Sequence, residues 1–73
     1  MDEYTKGLNM TKAQQIIDAL EREGITMYEV SQYTNISRPT LGNWKNGKIK
    51  KPHPYMIKIL EQYADIRGVK YGE

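Results

Sequence analysis

The chain has 73 residues, no cysteine and a single histidine, His53, so it is long enough for one domain and excludes disulfides and an ordinary zinc site. No apolar run approaches the roughly 18 residues of a membrane span, and the first residues lack a secretory-signal pattern. We therefore expect a cytoplasmic protein with no membrane attachment, metal, cofactor or small-molecule ligand.

The net charge of +2 hides an uneven distribution along the chain. Residues 1–29 carry −3 and residues 61–73 carry −1, whereas residues 30–60 carry +6 and contain no acid. The bases of this middle segment are Arg38, Lys45, Lys48, Lys50, Lys51 and Lys58. A few lysines are usually only solvated surface, but a long segment without any acid favours phosphate binding and therefore a nucleic-acid partner.

Residues 1–10 lack apolar periodicity and are predicted to form a flexible N-terminal arm. A first helix should follow, because Thr11 and Gln14 match a capping box. Its buried stripe has helical spacing and consists of Ala13, Ile16, Ile17 and Leu20. The helix should end near Glu23, with Gly24 as its C-terminal cap. Its outer, mostly acidic face is expected to be solvated scaffold turned away from any DNA.

Two short helices are predicted next. Thr26 and Glu29 form a second capping box, which starts a helix running over about residues 27–33. Asn35 suits the left-handed conformation at the end of this helix. Ser37 is the next N-cap, and Pro39 behind it is tolerated because the first-turn N–H groups of a helix have no partner to lose. The second short helix should cover about residues 38–46 and end at Gly47.

The apolar residues of this pair are spaced as in a helix-turn-helix. They are Val30, Ile36, Leu41 and Trp44. If these four side chains meet in one small core, the outer face of the second short helix points away from it. That face holds Arg38, Pro39, Thr40, Gly42, Asn43 and Asn46.

A fourth helix is predicted from Pro54 to about Ile66, before Gly68. Its apolar stripe is Met56, Ile59, Leu60 and Tyr63, with Ile57 and Ala64 beside it. The sequence therefore predicts a compact all-α fold of four helices, with a five-helix fold as the alternative. We divide it into an arm (residues 1–10), a helix-turn-helix domain (residues 11–67) and a C-terminal tail (residues 68–73).

From Ile25 through the N-G-K-I-K-K-P loop of residues 46–52, the sequence resembles the helix-turn-helix of the phage repressor and Cro family, also called the Xre family. With the flanking helices, the resemblance covers roughly residues 11–66. Met27, Ser31 and Asn35 stand where this family usually has Gln, Ala and Gly. The resemblance implies a sequence-specific double-stranded DNA-binding protein, a small transcriptional regulator of the phage or mobile-element kind, with the second helix of the motif in the major groove.

Position by position, the resemblance assigns base reading to Arg38, Pro39, Thr40 and Asn43. It assigns phosphate contacts to Thr26, Met27, Asn46, Lys48, Lys50, Lys51 and His53. Because Met27 replaces the usual Gln, the backbone amides at that helix N-terminus would bind phosphate in its place. For Arg38 and His53, the alternative is an ordinary solvent-exposed residue.

A second class of function is a helical protein-interaction module on the same fold, such as an antirepressor or an antitoxin-like partner. Its surface would come from the acidic first helix and the six tyrosines, because Tyr is enriched at interfaces. No enzyme is expected, since no nucleophile–base pair, carboxylate pair or phosphate loop can be assembled. Four apolar residues near the C-terminus could support a weak homodimer, or a dimer formed on a DNA operator. They are Tyr63, Ile66, Val69 and Tyr71.

Overall fold

The computed structural model describes residues 11–48 and 52–71. The predicted arm, Lys50 and Lys51 lie outside this part of the chain. The described residues form four helices and no strand, and the helices are α1 (Lys12–Arg22), α2 (Met27–Thr34), α3 (Arg38–Lys45) and α4 (Pro54–Ile66). The all-α prediction is confirmed, and no fifth helix is found within the described ranges.

Both predicted capping boxes are formed. The Thr11 hydroxyl accepts from the Gln14 N–H at 3.1 Å, and the Gln14 side chain accepts from the Thr11 N–H at 2.8 Å. Thr26 and Glu29 make the same reciprocal pair, with both bonds at 3.1 Å. Each pair involves residues only three positions apart, so the start of α1 and of α2 is fixed by local sequence.

The turn between α2 and α3 is closed by backbone and side-chain hydrogen bonds. Asn35 has the predicted left-handed conformation, with φ of 66°, and its N–H donates to the Ser31 carbonyl at 2.8 Å. The buried Thr34 hydroxyl donates to the Val30 carbonyl at 2.7 Å and accepts from the Ile36 N–H at 3.2 Å. Because an unpaired buried hydroxyl is costly, these two bonds allow Thr34 to lie inside the motif.

The core is shared by all four helices. α1 and α2 each pack against both α3 and α4. The predicted apolar set of the motif is buried, with Trp44 only 2% exposed and Leu41 fully buried. α1 contributes the predicted stripe together with Ala19. The helix-turn-helix core predicted from sequence is therefore confirmed.

The buried stripe of α4 differs from the predicted one. Leu60, Tyr63 and Ala64 are buried, whereas Ile59 is only half-buried and lies outside the core cluster. Met56 and Ile57 pack partly against the core. The reason is that α4 contacts α1 on one side and α2 on the other, so its buried face is centred between these helices, and apolar periodicity alone does not reveal that centre.

The chain beyond α4 also packs against the core. Val69 is 7% exposed, and Tyr71 lies against the core cluster. Burial raises the pKa of the Tyr71 hydroxyl. Nearby, the Lys12 ammonium lies 2.6 Å from a Glu61 carboxylate oxygen, and this hydrogen bond raises the pKa of Lys12. The start of α1 is thereby connected to α4.

Candidate nucleic-acid interface

α3 buries one side and exposes the other. Leu41 and Trp44 anchor its inner side in the core. On the outer side, Arg38 and Pro39 are exposed, and Thr40 and Asn43 are half-buried. The four residues predicted to read bases are therefore on the solvent-accessible part of one helix, which contains no acid.

The first turn of α3 is held by Ser37. Its side chain accepts from the Thr40 N–H at 3.3 Å and donates to the Thr40 hydroxyl oxygen at 2.8 Å. Pro39 lies in the same turn, where its missing N–H costs nothing. Thr40 is consequently fixed by two contacts to its own cap, which leaves its hydroxyl proton available for a further acceptor.

Gly42 lies at the middle of the outer face. A Cβ atom built there would meet no atom within 4 Å beyond the local helix backbone. The space in front of this turn of α3 is therefore open, and a flat surface could approach the helix backbone closely.

Arg38 contacts α2 through an aromatic ring. Its guanidinium carbon lies 5.6 Å from the centroid of the Tyr28 ring, within the range of a cation–π interaction. In the described part of the chain, no carboxylate forms an ion pair with Arg38. The positive charge of Arg38 on the outer side of the motif is therefore not balanced by any described carboxylate.

The C-terminal end of α3 is bound to α1. The Gln14 amide donates to the Lys45 carbonyl at 3.2 Å, which satisfies one of the carbonyls left unpaired at a helix end. The Lys45 ammonium lies 3.0 Å from a Glu21 carboxylate oxygen. Both contacts were missed from sequence. Glu21 belongs to the outer, mostly acidic face of α1 that was expected to be solvated, and its partly exposed carboxylate also pairs with a base of α3.

The ion pair also changes the predicted charge distribution. Lys45 was counted among the bases available for phosphate, but its charge is balanced by Glu21. Among the described bases of the middle segment, Arg38, Lys48 and Lys58 are exposed and have no such pair. The positive charge near α3 is therefore carried by fewer groups than the sequence count suggests.

Among the described residues, those predicted to contact phosphate lie at the ends of α2, α3 and α4. The Thr26 hydroxyl and N–H are both used in the cap of α2, and Met27 follows half-buried as the first residue of that helix. Asn46 and Lys48 are exposed after α3, and the Lys48 N–H donates to the Asn43 carbonyl at 2.9 Å. Lys50 and Lys51 lie outside the described residues.

His53 has a structural role at the start of α4. Its ring Nδ1 accepts from the Tyr55 N–H at 3.1 Å and caps the helix. A phosphate contact by His53 would then use the other ring nitrogen, Nε2. This capping role was missed from sequence, where Pro54 alone marked the helix start.

A mostly apolar groove lies between α2 and α4. It has a volume of about 450 Å³ and is lined by Tyr28, Glu29, Gln32, Tyr33, Tyr63, Ile66 and Arg67. The Tyr33 and Tyr63 rings lie 4.8 Å apart, and Arg67 donates to the Tyr63 hydroxyl at 2.8 Å. Of the predicted dimer residues, Tyr63 and Val69 are buried, which corrects that prediction, whereas Ile66 is 63% exposed.

The described residues contain no group of three or more His, Cys, Asp or Glu side chains that could hold a metal ion. None of the described helices is long and apolar enough to cross a membrane.

Comparison with protein families decides the classification. The model of the Xre-type, Cro/CI-like helix-turn-helix family matches residues 16–68, which is more than half of the chain. The chain belongs to the Xre-type helix-turn-helix family. No curated protein and no solved structure matches the chain significantly.

Membership of the Xre-type family identifies the chain's general function. Xre-type helix-turn-helix proteins are DNA-binding regulators, and the chain is a DNA-binding regulator of this class. The match includes all of α2, α3 and α4, together with the end of α1 that binds α3. The surface described around α3 is thus the part of an Xre-type domain to consider for DNA contact.

Proposed function

We propose that the chain binds a specific double-stranded DNA site and acts as a small repressor- or Cro-like regulator of phage or mobile-element origin. The observation that carries the proposal is the outer face of α3, where a capped, acid-free helix anchored by Trp44 exposes Arg38 and leaves Asn43 half-buried. α3 would lie in the major groove with its N-terminal residues at base edges. A regulator of this kind acts where the DNA is, in the cytoplasm.

Each outward residue has a chemical role in this proposal. Arg38 pairs in a bidentate manner with guanine O6 and N7, and Asn43 pairs with adenine or reaches a phosphate. Thr40 and the Pro39 ring contact thymine methyl groups. These contacts specify sequence, since they reach groups that differ between base pairs.

Phosphate contacts hold α3 in register without reading sequence. In our proposal they come from three places around α3. The first is the N-terminus of α2 at Thr26 and Met27, where unpaired backbone amides favour an anion. The others are the end of α3 with its loop, and the start of α4. They comprise Asn46, Lys48, Lys50, Lys51 and His53.

The proposal is tested by selecting bound duplexes from a random pool and then comparing two variants on the selected site. Arg38→Ala should lower the preference for that site over random DNA, because a bidentate base contact is worth about 1–3 kcal/mol of discrimination. Lys50→Ala should weaken binding to all duplexes alike and reduce the salt slope by about one. An Arg38→Ala variant that keeps the wild-type preference would exclude α3 as the reading helix.

We further propose that two copies bind a palindromic operator as a weak homodimer, because one short helix reads only a few base pairs. The exposed Ile66 at the end of α4 and the half-buried Tyr71 are the apolar residues left for this contact.

A helical protein-interaction module is the second candidate, and the groove between α2 and α4 favours it. Tyr28 and Tyr33 are each 56% exposed there, and tyrosine is enriched at protein interfaces. Binding to random DNA separates the two candidates, because a DNA-binding protein loses affinity steeply as salt rises. An interaction module would show no measurable binding at any salt concentration.

A further inference from the structure

The contact between Tyr28 and Arg38 joins the two helices of the motif on their outer side. Tyr28 lies in the first turn of α2, and Arg38 is the first residue of α3. The guanidinium carbon is 5.6 Å from the ring centroid. Both side chains are exposed, and Tyr28 keeps 56% of its surface accessible. Its ring therefore contributes little to the core, and it lies within cation–π distance of the predicted base-reading arginine.

A ring is a suitable neighbour for an arginine that must still donate. A guanidinium is flat, with all its N–H donors in one plane, and it stacks on aromatic faces. An aromatic face attracts the cation without accepting those N–H groups. A carboxylate neighbour would occupy two of the donors, but none forms an ion pair with Arg38 in the described part of the chain. Tyr28 thus restricts the arginine while leaving its donors free for guanine O6 and N7.

We propose that Tyr28 is a positioning residue for base reading: it orients Arg38 and so determines part of the sequence specificity. The inference rests on the proposed function, in which Arg38 reads a base. It adds a residue of α2, outside the recognition helix, to the specificity of the site. The physical gain is that fewer side-chain rotamers of Arg38 must be excluded when the base contact forms.

The experiment measures the ratio of the dissociation constants for random and selected duplexes. Tyr28→Ala should lower this ratio roughly three- to tenfold, the size of a cation–π contact that is partly covered in the complex. Tyr28→Phe should stay within about twofold of wild type, because the ring is what acts on the cation. Tyr28→Leu, which keeps apolar bulk without a ring, should behave like Tyr28→Ala and replaces it if that variant does not fold.

Tyr33→Ala is the matched control. Tyr33 lies on the same helix with the same exposed fraction, but its ring stacks on Tyr63. Its removal should leave the ratio unchanged at a temperature where the variant is folded. A second control combines Tyr28→Ala with Arg38→Ala. In that background the loss of Tyr28 should have no further effect on the ratio, because the side chain it orients is absent.

Three results would overturn the inference. They are an unchanged ratio for Tyr28→Ala, a Tyr28→Phe variant as impaired as Tyr28→Ala, and a Tyr28 effect that persists without Arg38. The second would assign the effect to the phenol hydroxyl, for example as a phosphate donor. The failure of the proposed function looks different, since wild type itself would then show no preference for any duplex, and this inference would fail with it.

Discussion

Two constraints act on Gly47, one from its backbone conformation and one from a neighbouring side chain. It follows α3 with φ of +74°, a conformation that side chains rarely adopt. A Cβ atom there would also lie 2.9 Å from the Gln14 amide nitrogen, which donates to the Lys45 carbonyl. The helix end at Gly47 could be predicted from local sequence. The approach of Gln14 could not, because that contact spans 31 positions between Gln14 and Lys45.

Replacing Gly47 should therefore lower the free energy of unfolding more than replacing a glycine that has the same backbone conformation but no neighbouring atoms. Gly47→Ala should lower the free energy of unfolding by roughly 1.5–3.5 kcal/mol, from about 1–2 for the left-handed backbone and about 0.5–1.5 for the displaced Gln14 bond. Gly24→Ala is the control, since Gly24 has φ of +82° and nothing within 4 Å of the added carbon. Urea unfolding of both variants measures the difference.

A Gln14→Ala background provides the decisive comparison for Gly47. In that background, the loss in free energy of unfolding caused by Gly47→Ala should fall to the loss caused by Gly24→Ala, because no Gln14 side chain remains to be displaced. Equal losses for the two glycine variants in the wild-type background would show that Gln14 does not constrain this turn.

At the scale of the helices, the residues at which helices begin were predicted better than the faces that helices bury. The caps at Thr11, Thr26 and Ser37 were all found where the sequence placed them, since capping depends on bonds to residues two or three positions away. The buried face of α4 was less predictable. Ile59 was expected in the buried stripe but is half-buried, and Ala64 was expected beside the stripe but is fully buried. The reason is that α4 packs between two helices, and this arrangement is a property of the tertiary fold.

α3 is a short helix with weak intrinsic propensity. Its eight residues include Gly42, and glycine is unfavourable in a helix interior. The helix is stable because Ser37 caps it and because Leu41 and Trp44 are buried in the core. Its outer face contributes nothing to that core, so the face can be altered while the fold is retained.

Gly42→Glu should keep the fold and remove DNA binding. The new side chain enters open space, and replacing glycine in a helix raises the free energy of unfolding by about 0.5 kcal/mol. A carboxylate on this face would oppose the DNA phosphates, so binding should fall at least about tenfold more than for Gly42→Gln at low salt. Gly42→Gln is the control of equal size. Thermal melting and a binding titration measure both effects.

If Gly42→Glu and Gly42→Gln bind DNA equally well at low salt, the outer face of α3 does not approach phosphate. The difference between the two variants should also narrow as salt is raised, because screening acts on the charge and not on the size of the side chain.

At the scale of the whole molecule, the family and the four-helix architecture were readable from the chain, and the long-range charge pairs were not. Lys45 with Glu21 and Lys12 with Glu61 connect residues far apart in sequence. Both pairs bind α1 to other helices and remove two bases from the free positive charge. The groove between α2 and α4 could not be foreseen either, since it arises from the relative placement of two helices.

Assembly is the remaining property that belongs to this scale. Of the residues expected to support a dimer, Tyr63 and Val69 are buried, Tyr71 is half-buried and Ile66 is exposed. Two partly accessible apolar side chains make a small patch, whereas stable interfaces bury roughly 1,200 Å² or more. The free protein should be monomeric or weakly dimeric, and pairing should depend on DNA.

The protein should therefore bind a palindrome of two half-sites, about 34 Å apart, more tightly and selectively than one half-site. Sedimentation of the free protein, beside gel-shift titrations on one and two half-sites, measures this. Ile66→Glu should remove the advantage of the palindrome and leave half-site binding intact, because a buried unpaired carboxylate opposes the contact between copies. A stable monomer that binds one half-site as tightly and selectively as the palindrome would rule out pairing as the source of specificity.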